Sequence, residues 1–184
     1  MPRLVARSYA RDLPPAVIPP GLSVAALTPT AQLWLSGDPR DAAFAAGATR
    51  VLGPLAEVGR IAGSDPLTLW QAPDRWLVVS ETQSGEALAA ALAEALKGCH
   101  AAISDTTDGL ACFEIAGPAA RRLVGQGTTY DLDPLRFGPG QGVVTLFAGL
   151  RASLYCLAPE RYRLHGEVAS ARFLWDWLTT AATA

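Results

Sequence analysis

The sequence predicts an α+β fold of two pseudo-symmetric β/α lobes produced by internal duplication. Three observations predict it. First, Leu-Trp-Gln-Ala-Pro-Asp-Arg-Trp-Leu-Val-Val-Ser at 69–80 is echoed by Tyr-Cys-Leu-Ala-Pro-Glu-Arg-Tyr-Arg-Leu-His-Gly at 155–166. Each reads as a β-hairpin. Pro73 and Pro159 preset φ for the second position of a type I turn, and Asp74 and Glu160 suit the next. Trp76 and Tyr162 then open the returning strand, where aromatics pack well. Second, Gly37-Asp38-Pro39 is answered by Gly117-Pro118, 80 residues on. Third, strand and helix patterns follow one another in the same order in both halves, roughly β-β-α-(β)-β-β-α.

Residues 1–21 carry Pro2, Pro14, Pro15, Pro19 and Pro20, which rule out a long helix or a central strand. An extended arm is expected, docked through Leu4, Val5, Tyr9, Leu13, Val17 and Ile18 onto its own domain or a partner. The first lobe, 22–98, opens with short strands at 24–27 and 32–36. Asp38 is expected to cap a helix that has Pro39 in its first turn. That helix runs to Leu52 and buries Phe44, Ala48, Val51 and Leu52 until Gly53-Pro54 stops it. A weak strand is expected at 58–62, then the first hairpin. Ser84 starts a helix to Lys97, whose Leu88, Leu92 and Leu96 recur at i, i+4 and i+8 as a buried stripe. Gly98 ends it.

The second lobe, 99–184, repeats the plan with strands at 101–106 and 110–116 and a short helix after Gly117-Pro118. A loop over 128–142 follows, then strands at 143–148 and 151–157, the second hairpin and a last helix over 168–180. That helix has two apolar stripes. Ala171, Trp175 and Leu178 form one, while Phe173 and Trp177, four apart, form the other. One buried face does not require both, so either the domain encloses the helix or Phe173 and Trp177 meet a partner.

The composition narrows the function. Apolar residues are 50% of the 184 and charged residues 17%, against the roughly 25% charged residues of an average soluble domain. Part of such a surface is expected to be covered by another chain, unless the domain is simply compact and alanine-rich. Net charge is −2 and the 15 basic residues are scattered, which argues against nucleic acid. No apolar run is long enough for a bilayer span, and the first residues do not read as a signal peptide. Three cysteines, Cys99, Cys112 and Cys156, have no metal-type spacing and suit free thiols in the cytoplasm.

Few residues offer chemistry. Cys99 and His100 are adjacent, so on a strand they point to opposite faces and make no nucleophile–base pair. His165, in a returning strand, reads as structural or surface. Gly138-Pro139-Gly140-Gln141-Gly142 lacks the Gly-Lys-Ser/Thr ending of a phosphate loop and reads as a turn. An acid among Asp105, Asp108 and Glu114, if pocketed, could grip a pterin or an amine, although Asp105 and Asp108 equally suit turns built on side chain-to-backbone bonds. No constellation supports catalysis by this chain alone, and no metal site is expected.

The ordered set Ala31-Gln32-Leu33 with Gly37-Asp38-Pro39, Ala72-Pro73-Asp74-Arg75-Trp76-Leu77, Ile103-Ser104-Asp105, Ile115-Ala116-Gly117-Pro118-Ala119-Ala120-Arg121, Asp131-Leu132-Asp133-Pro134 with Phe137, and Phe173-Leu174-Trp175-Asp176-Trp177-Leu178 resembles the gamma subunit of heterotetrameric sarcosine oxidase. The resemblance covers most of 22–180. It implies a fold like the folate-binding domain of aminomethyltransferases. It also implies a non-catalytic accessory subunit of a cytoplasmic flavoenzyme with alpha, beta and delta partners. That complex demethylates sarcosine oxidatively and passes the one-carbon unit to tetrahydrofolate. FAD, FMN, NAD, tetrahydrofolate and zinc would sit on the other subunits and none on this chain. Departures from the family pattern at Thr128-Thr129-Tyr130, Asp133 and Arg75 leave open which N-methyl amine is oxidised. The alternative is a stand-alone folate-binding or one-carbon transfer protein of the same fold.

Overall fold

The structure, a computed structural model, describes residues 8–184. The first half contains β1 (Ser23–Leu27), β2 (Ala31–Gly37), α1 (Ala42–Leu52), β3 (Ile61–Gly63), β4 (Leu67–Ala72), β5 (Arg75–Ser80) and α2 (Gly85–Ala95). The second contains β6 (Ala101–Asp105), β7 (Leu110–Ala116), α3 (Ala120–Gly127), β8 (Gly142–Phe147), β9 (Leu150–Ala158), β10 (Arg161–Glu167) and, after a 3-10 turn at Val168–Ser170, α4 (Ala171–Ala181). Both halves therefore run β-β-α-β-β-β-α.

Two antiparallel sheets result, ordered β3-β4-β5-β2-β6 and β1-β7-β10-β9-β8. Their edges are exchanged. β1, from the first half, pairs with β7, and β6, from the second, pairs with β2. Residues 22–98 and 99–184 are consequently repeats in sequence but not separate packing units, because each covalent half completes the other's sheet.

The registers carry the duplication down to single residues. Leu35 faces Trp76 and Trp34 faces Leu77 across β2–β5. Ile115 faces Tyr162 and Glu114 faces Arg163 across β7–β10. Both hairpins turn at Pro-acid and both carry a one-residue bulge, at Gln71 and at Leu157. Gly37 N–H donates to the Asp74 carbonyl at 3.0 Å, and Gly117 N–H donates to the Glu160 carbonyl at 2.8 Å. Each helix-leading glycine thus ties its strand end to the tip of its own hairpin.

Alternation along the strands divides side chains between two environments. Leu33, Leu35, Trp76 and Val78 pack with Phe44, Ala48, Leu88, Leu92 and Leu96 under α1 and α2. Phe113, Ile115, Leu154, Tyr162 and Leu164 pack with Leu123, Val124, Leu174, Trp175 and Leu178 under α3 and α4. The opposite faces meet each other through Leu67, Leu69, Leu77, Val79 and Tyr155. The order of layers is helix, sheet, sheet, helix. Full burial stabilises by roughly 1.5–3 kcal/mol for each such side chain.

Several local expectations are corrected. Asp38 does not cap α1. Its carboxylate holds the Arg40 amide at 2.9 Å and the Arg40 guanidinium in an exposed turn, while Asp41 accepts the Ala43 amide at 2.8 Å and caps the helix three residues later. Pro118 likewise precedes α3, which begins at Ala120 without a side-chain cap. The weak strand lies at Ile61–Gly63, since Val58 is exposed and Gly142 and Gly140 offer backbone partners to Gly59 and Ile61. The 3-10 turn takes the first three residues expected of the last helix.

Residues 1–7 of the expected arm, with Leu4 and Val5, lie outside the described residues. The remainder docks on its own domain, except that Val17, expected to dock, is 86% exposed. Tyr9 forms a 3-10 turn with residues 10–12, packs edge-on to Phe113 at 6.1 Å, accepts the Cys112 amide at 2.7 Å and donates to the Leu27 carbonyl. It closes the open end of the β1–β7 ladder. Further along, the Pro14 carbonyl accepts the Trp175 indole N–H at 2.9 Å, and Leu13, Ala16 and Ile18 cover the core under α4.

Candidate functional site

Titratable groups concentrate between the sheets, where the strand faces opposite the helices supply polar as well as apolar side chains. β2 contributes Gln32, β7 contributes Cys112 and Glu114, β9 contributes Tyr155, and β10 contributes Arg163 and His165. Burial on both faces of the sheets makes these groups find partners within the chain, among one another and in Leu110, Arg161 and Glu81.

His165 is 2% exposed. The Gln32 amide donates through Nε2 to the Leu110 carbonyl at 2.9 Å, so its Oε1 faces His165 Nδ1 at 2.7 Å and accepts that N–H. His165 Nε2 is then the acceptor for the Tyr155 hydroxyl at 2.9 Å, and the two rings stack at 5.5 Å. Burial, reinforced by the positive Arg163, pulls the His165 pKa down to about 3. The imidazole stays neutral with both nitrogens engaged.

Cys112 Sγ lies 3.5 Å from the same Nε2. The contact has the spacing of a nucleophile and base but not their electrostatics. Burial pushes the Cys112 thiol up to about 12, and the ring that would take its proton is already accepting one from Tyr155. No thiolate forms in such a place near neutral pH. Sequence reasoning missed this pair. The one available signal was that Gln32 and His165 alternate with Leu33 and Leu164, which becomes informative only once both faces of each sheet are known to be buried.

Glu114 does not face an open site. Arg161 holds it at 2.8 Å and Arg163 at 3.1 Å, and Arg163 reaches on to Glu81 at 2.6 Å. Partial burial would raise the Glu114 pKa, but the two guanidiniums together outweigh it and hold the carboxyl below its ordinary value. Asp105 lies at the end of β6 on the other sheet. It accepts the Thr107 amide at 2.9 Å and the Thr107 hydroxyl at 2.6 Å, which makes it a turn residue. No hydrogen bond or ion pair joins Asp105 to Glu114. Among the described residues no cluster of three His, Cys, Asp or Glu is placed to hold a metal ion, and no helix is long and apolar enough to cross a membrane.

The two residues of the second α4 stripe part company. Trp177 turns inward and meets Phe147 edge-on at 5.0 Å, whereas Phe173 stays 49% exposed. Phe173 is therefore the member of the pair whose apolar surface the fold leaves uncovered.

A family model described as sarcosine oxidase, gamma subunit family, matches residues 36–184. Sarcosine oxidase subunit gamma of Arthrobacter sp is 29% identical over 129 residues, spanning 69% of this chain and 63% of that protein. The subunit of the same description from Corynebacterium sp. (strain U-96) is 28% identical over 155 residues, 83% of this chain and 75% of that one. Among solved structures, the heterotetrameric sarcosine oxidase from Corynebacterium sp. U-96 in complex with pyrrole 2-carboxylate contains a similar chain. That chain has a TM-score of 0.87 at 24% identity, with 97% of this chain and 95% of the other covered. The glycine cleavage system aminomethyltransferase T from Bartonella henselae matches with a TM-score of 0.63 at 12% identity, over 86% of this chain and 45% of that one. The fold that the resemblance implies is shared with the first of these throughout and with the second over less than half of its length.

Proposed function

The chain belongs to the sarcosine oxidase, gamma subunit family, and from that premise we propose that it is the non-catalytic gamma subunit of a heterotetrameric sarcosine oxidase-type flavoenzyme. The observation that supports this reading most is how fully the inter-sheet layer satisfies its own titratable groups. Its imidazole, thiol, carboxylate and guanidinium groups are engaged by one another and present no nucleophile or base to a substrate. The alpha, beta and delta subunits would be its partners. FAD, FMN, NAD, tetrahydrofolate and zinc would be carried by them, in a cytoplasmic complex that demethylates sarcosine and passes the one-carbon unit to tetrahydrofolate. The stand-alone folate-binding alternative is the weaker one, because Asp105 and Glu114 are both occupied by groups of the chain itself.

Phe173 is the proposed contact, supported by its exposure on α4. Co-expression with the alpha, beta and delta subunits is expected to give one complex on size exclusion. Phe173→Glu is expected to weaken that complex at least tenfold, about 1.4 kcal/mol or more, while leaving the melting temperature of the free chain unchanged. Trp177 is unsuitable for this test, since a charge there would strike Phe147 and the fold. A chain that stays monomeric beside its expected partners overturns the assignment.

A further inference from the structure

We propose that the cleft between the sheets beside Gln71 binds a small carboxylate-bearing molecule, with its carboxylate against Arg75 and Arg151 and its flat or apolar body on Trp34. The cleft has a volume of about 500 Å³, within the usual range for small-molecule sites. Trp34, Gln71, Arg75, Arg151, Ser153 and Glu167 line it.

Two observations carry the inference. The first is an unpartnered donor. Gln71 is 6% exposed, and its Oε1 accepts the Ser153 hydroxyl at 2.8 Å. Its Nε2 has no partner, alone among the buried side-chain nitrogens and oxygens of the described residues. A buried donor left unmade is costly, and a group retained at that cost asks for an acceptor from outside the chain.

The second is the broken pseudo-symmetry. The position equivalent to Gln71 in the other hairpin is Leu157, which packs between the sheets, so the fold itself does not require an amide there. The equivalent of Arg75 is Arg161, and the equivalent of Trp34 is Glu114. In the second repeat Glu114 neutralises Arg161 at 2.8 Å. In the first repeat the acid is replaced by an indole, and the Arg75 guanidinium has only the Ser36 hydroxyl, at 3.3 Å. One repeat supplies its own carboxylate; the other leaves the guanidinium and offers a ring face where the acid would stand. Arg151 adds a second cation and Glu167 a single acid, so the cleft remains net positive. The donors left without a carboxylate, Arg75 and Arg151, and the free Gln71 Nε2 all suit an acceptor-rich anion.

The proposal is independent of the assembly reading. The test is calorimetry on the full chain with benzoate, benzamide and benzylamine. Benzoate is expected to bind with a Kd on the order of 1 mM, and benzamide and benzylamine at least tenfold more weakly. Arg75→Gln and Arg151→Gln, both at exposed positions, are each expected to weaken benzoate tenfold with no change in melting temperature. Gln71→Met is expected to weaken it as well. Absence of benzoate binding at about 10 mM overturns the proposal. So does equal affinity in the arginine variants, or equal affinity for benzylamine. Benzoate binding to the free chain that disappears in the assembled complex overturns the small-molecule assignment and gives the cleft to a partner's carboxylate side chain. None of these outcomes bears on whether the complex forms.

Discussion

Replacing His165 by Asn separates a buried neutral imidazole from one that merely fills space. In the folded chain the His165 pKa is lowered to about 3, while the unfolded value is the ordinary 6.5. The unfolded state therefore binds a proton between these limits that the folded state refuses. The associated stability is fully present above 6.5 and is lost as pH falls toward 3, at up to about 1.4 kcal/mol per pH unit. Between about pH 7.5 and about pH 4.5 the loss integrates to roughly 2.5 kcal/mol. Glu114 has the same sign but acts lower, because its ordinary value is 4.5 and its folded value is below that. The interval above 4.5 thus reports on His165. Asn can donate to Gln32 as Nδ1 does but cannot titrate. Urea unfolding at the two pH values is expected to show the loss in the parent chain and less than about 0.5 kcal/mol of it in His165→Asn, although the variant starts less stable by about 1–3 kcal/mol for leaving Tyr155 unpaired. Equal slopes in the two chains would refute the assignment of a neutral imidazole between the sheets.

Two further substitutions probe how the ends of the sheets are held. Tyr9→Phe keeps the ring on Phe113 but leaves the Cys112 amide and the Leu27 carbonyl without the hydroxyl; it is expected to cost about 1–2 kcal/mol in urea unfolding and to speed hydrogen exchange at the Cys112 amide. Gly37→Ala places a methyl 2.2 Å from the Phe44 ring, which is itself fully buried against Trp76 at 5.9 Å, and is expected to cost about 1–3 kcal/mol by calorimetric melting.

How far the sequence could be read depended on how local each decision was. Pro73-Asp74 and Pro159-Glu160 turn where they were expected to, because the φ of proline and the side chains of the acids act within four residues. The stripe of Leu88, Leu92 and Leu96 and the stop at Gly53 were legible for the same reason. The cap of α1 was not: Asp38 and Asp41 both carry capping side chains, and only the start of the helix at Ala42 puts Asp41 at the cap and leaves Asp38 to the turn with Arg40. The choice between a partner and the domain's own core for Trp177 is not legible either, because nothing along the chain reveals that Phe147, thirty residues away, packs against it.

By itself the sequence determined the repeat, the order of strands and helices, the hairpins and the helix faces, since these follow from periodicity and turn chemistry acting over a few residues. The tertiary structure alone decided the exchange of β1 and β6 between sheets and the burial of the second strand faces. Those two facts turn Gln32, His165, Arg163 and Glu114 from scattered polar residues into mutually satisfied ones, and they leave Gln71 Nε2 without a partner and Arg75 without the carboxylate that Arg161 has. The physical reason is that a polar side chain acquires its protonation state and its partners from whatever is packed against it, and that neighbour is remote in sequence.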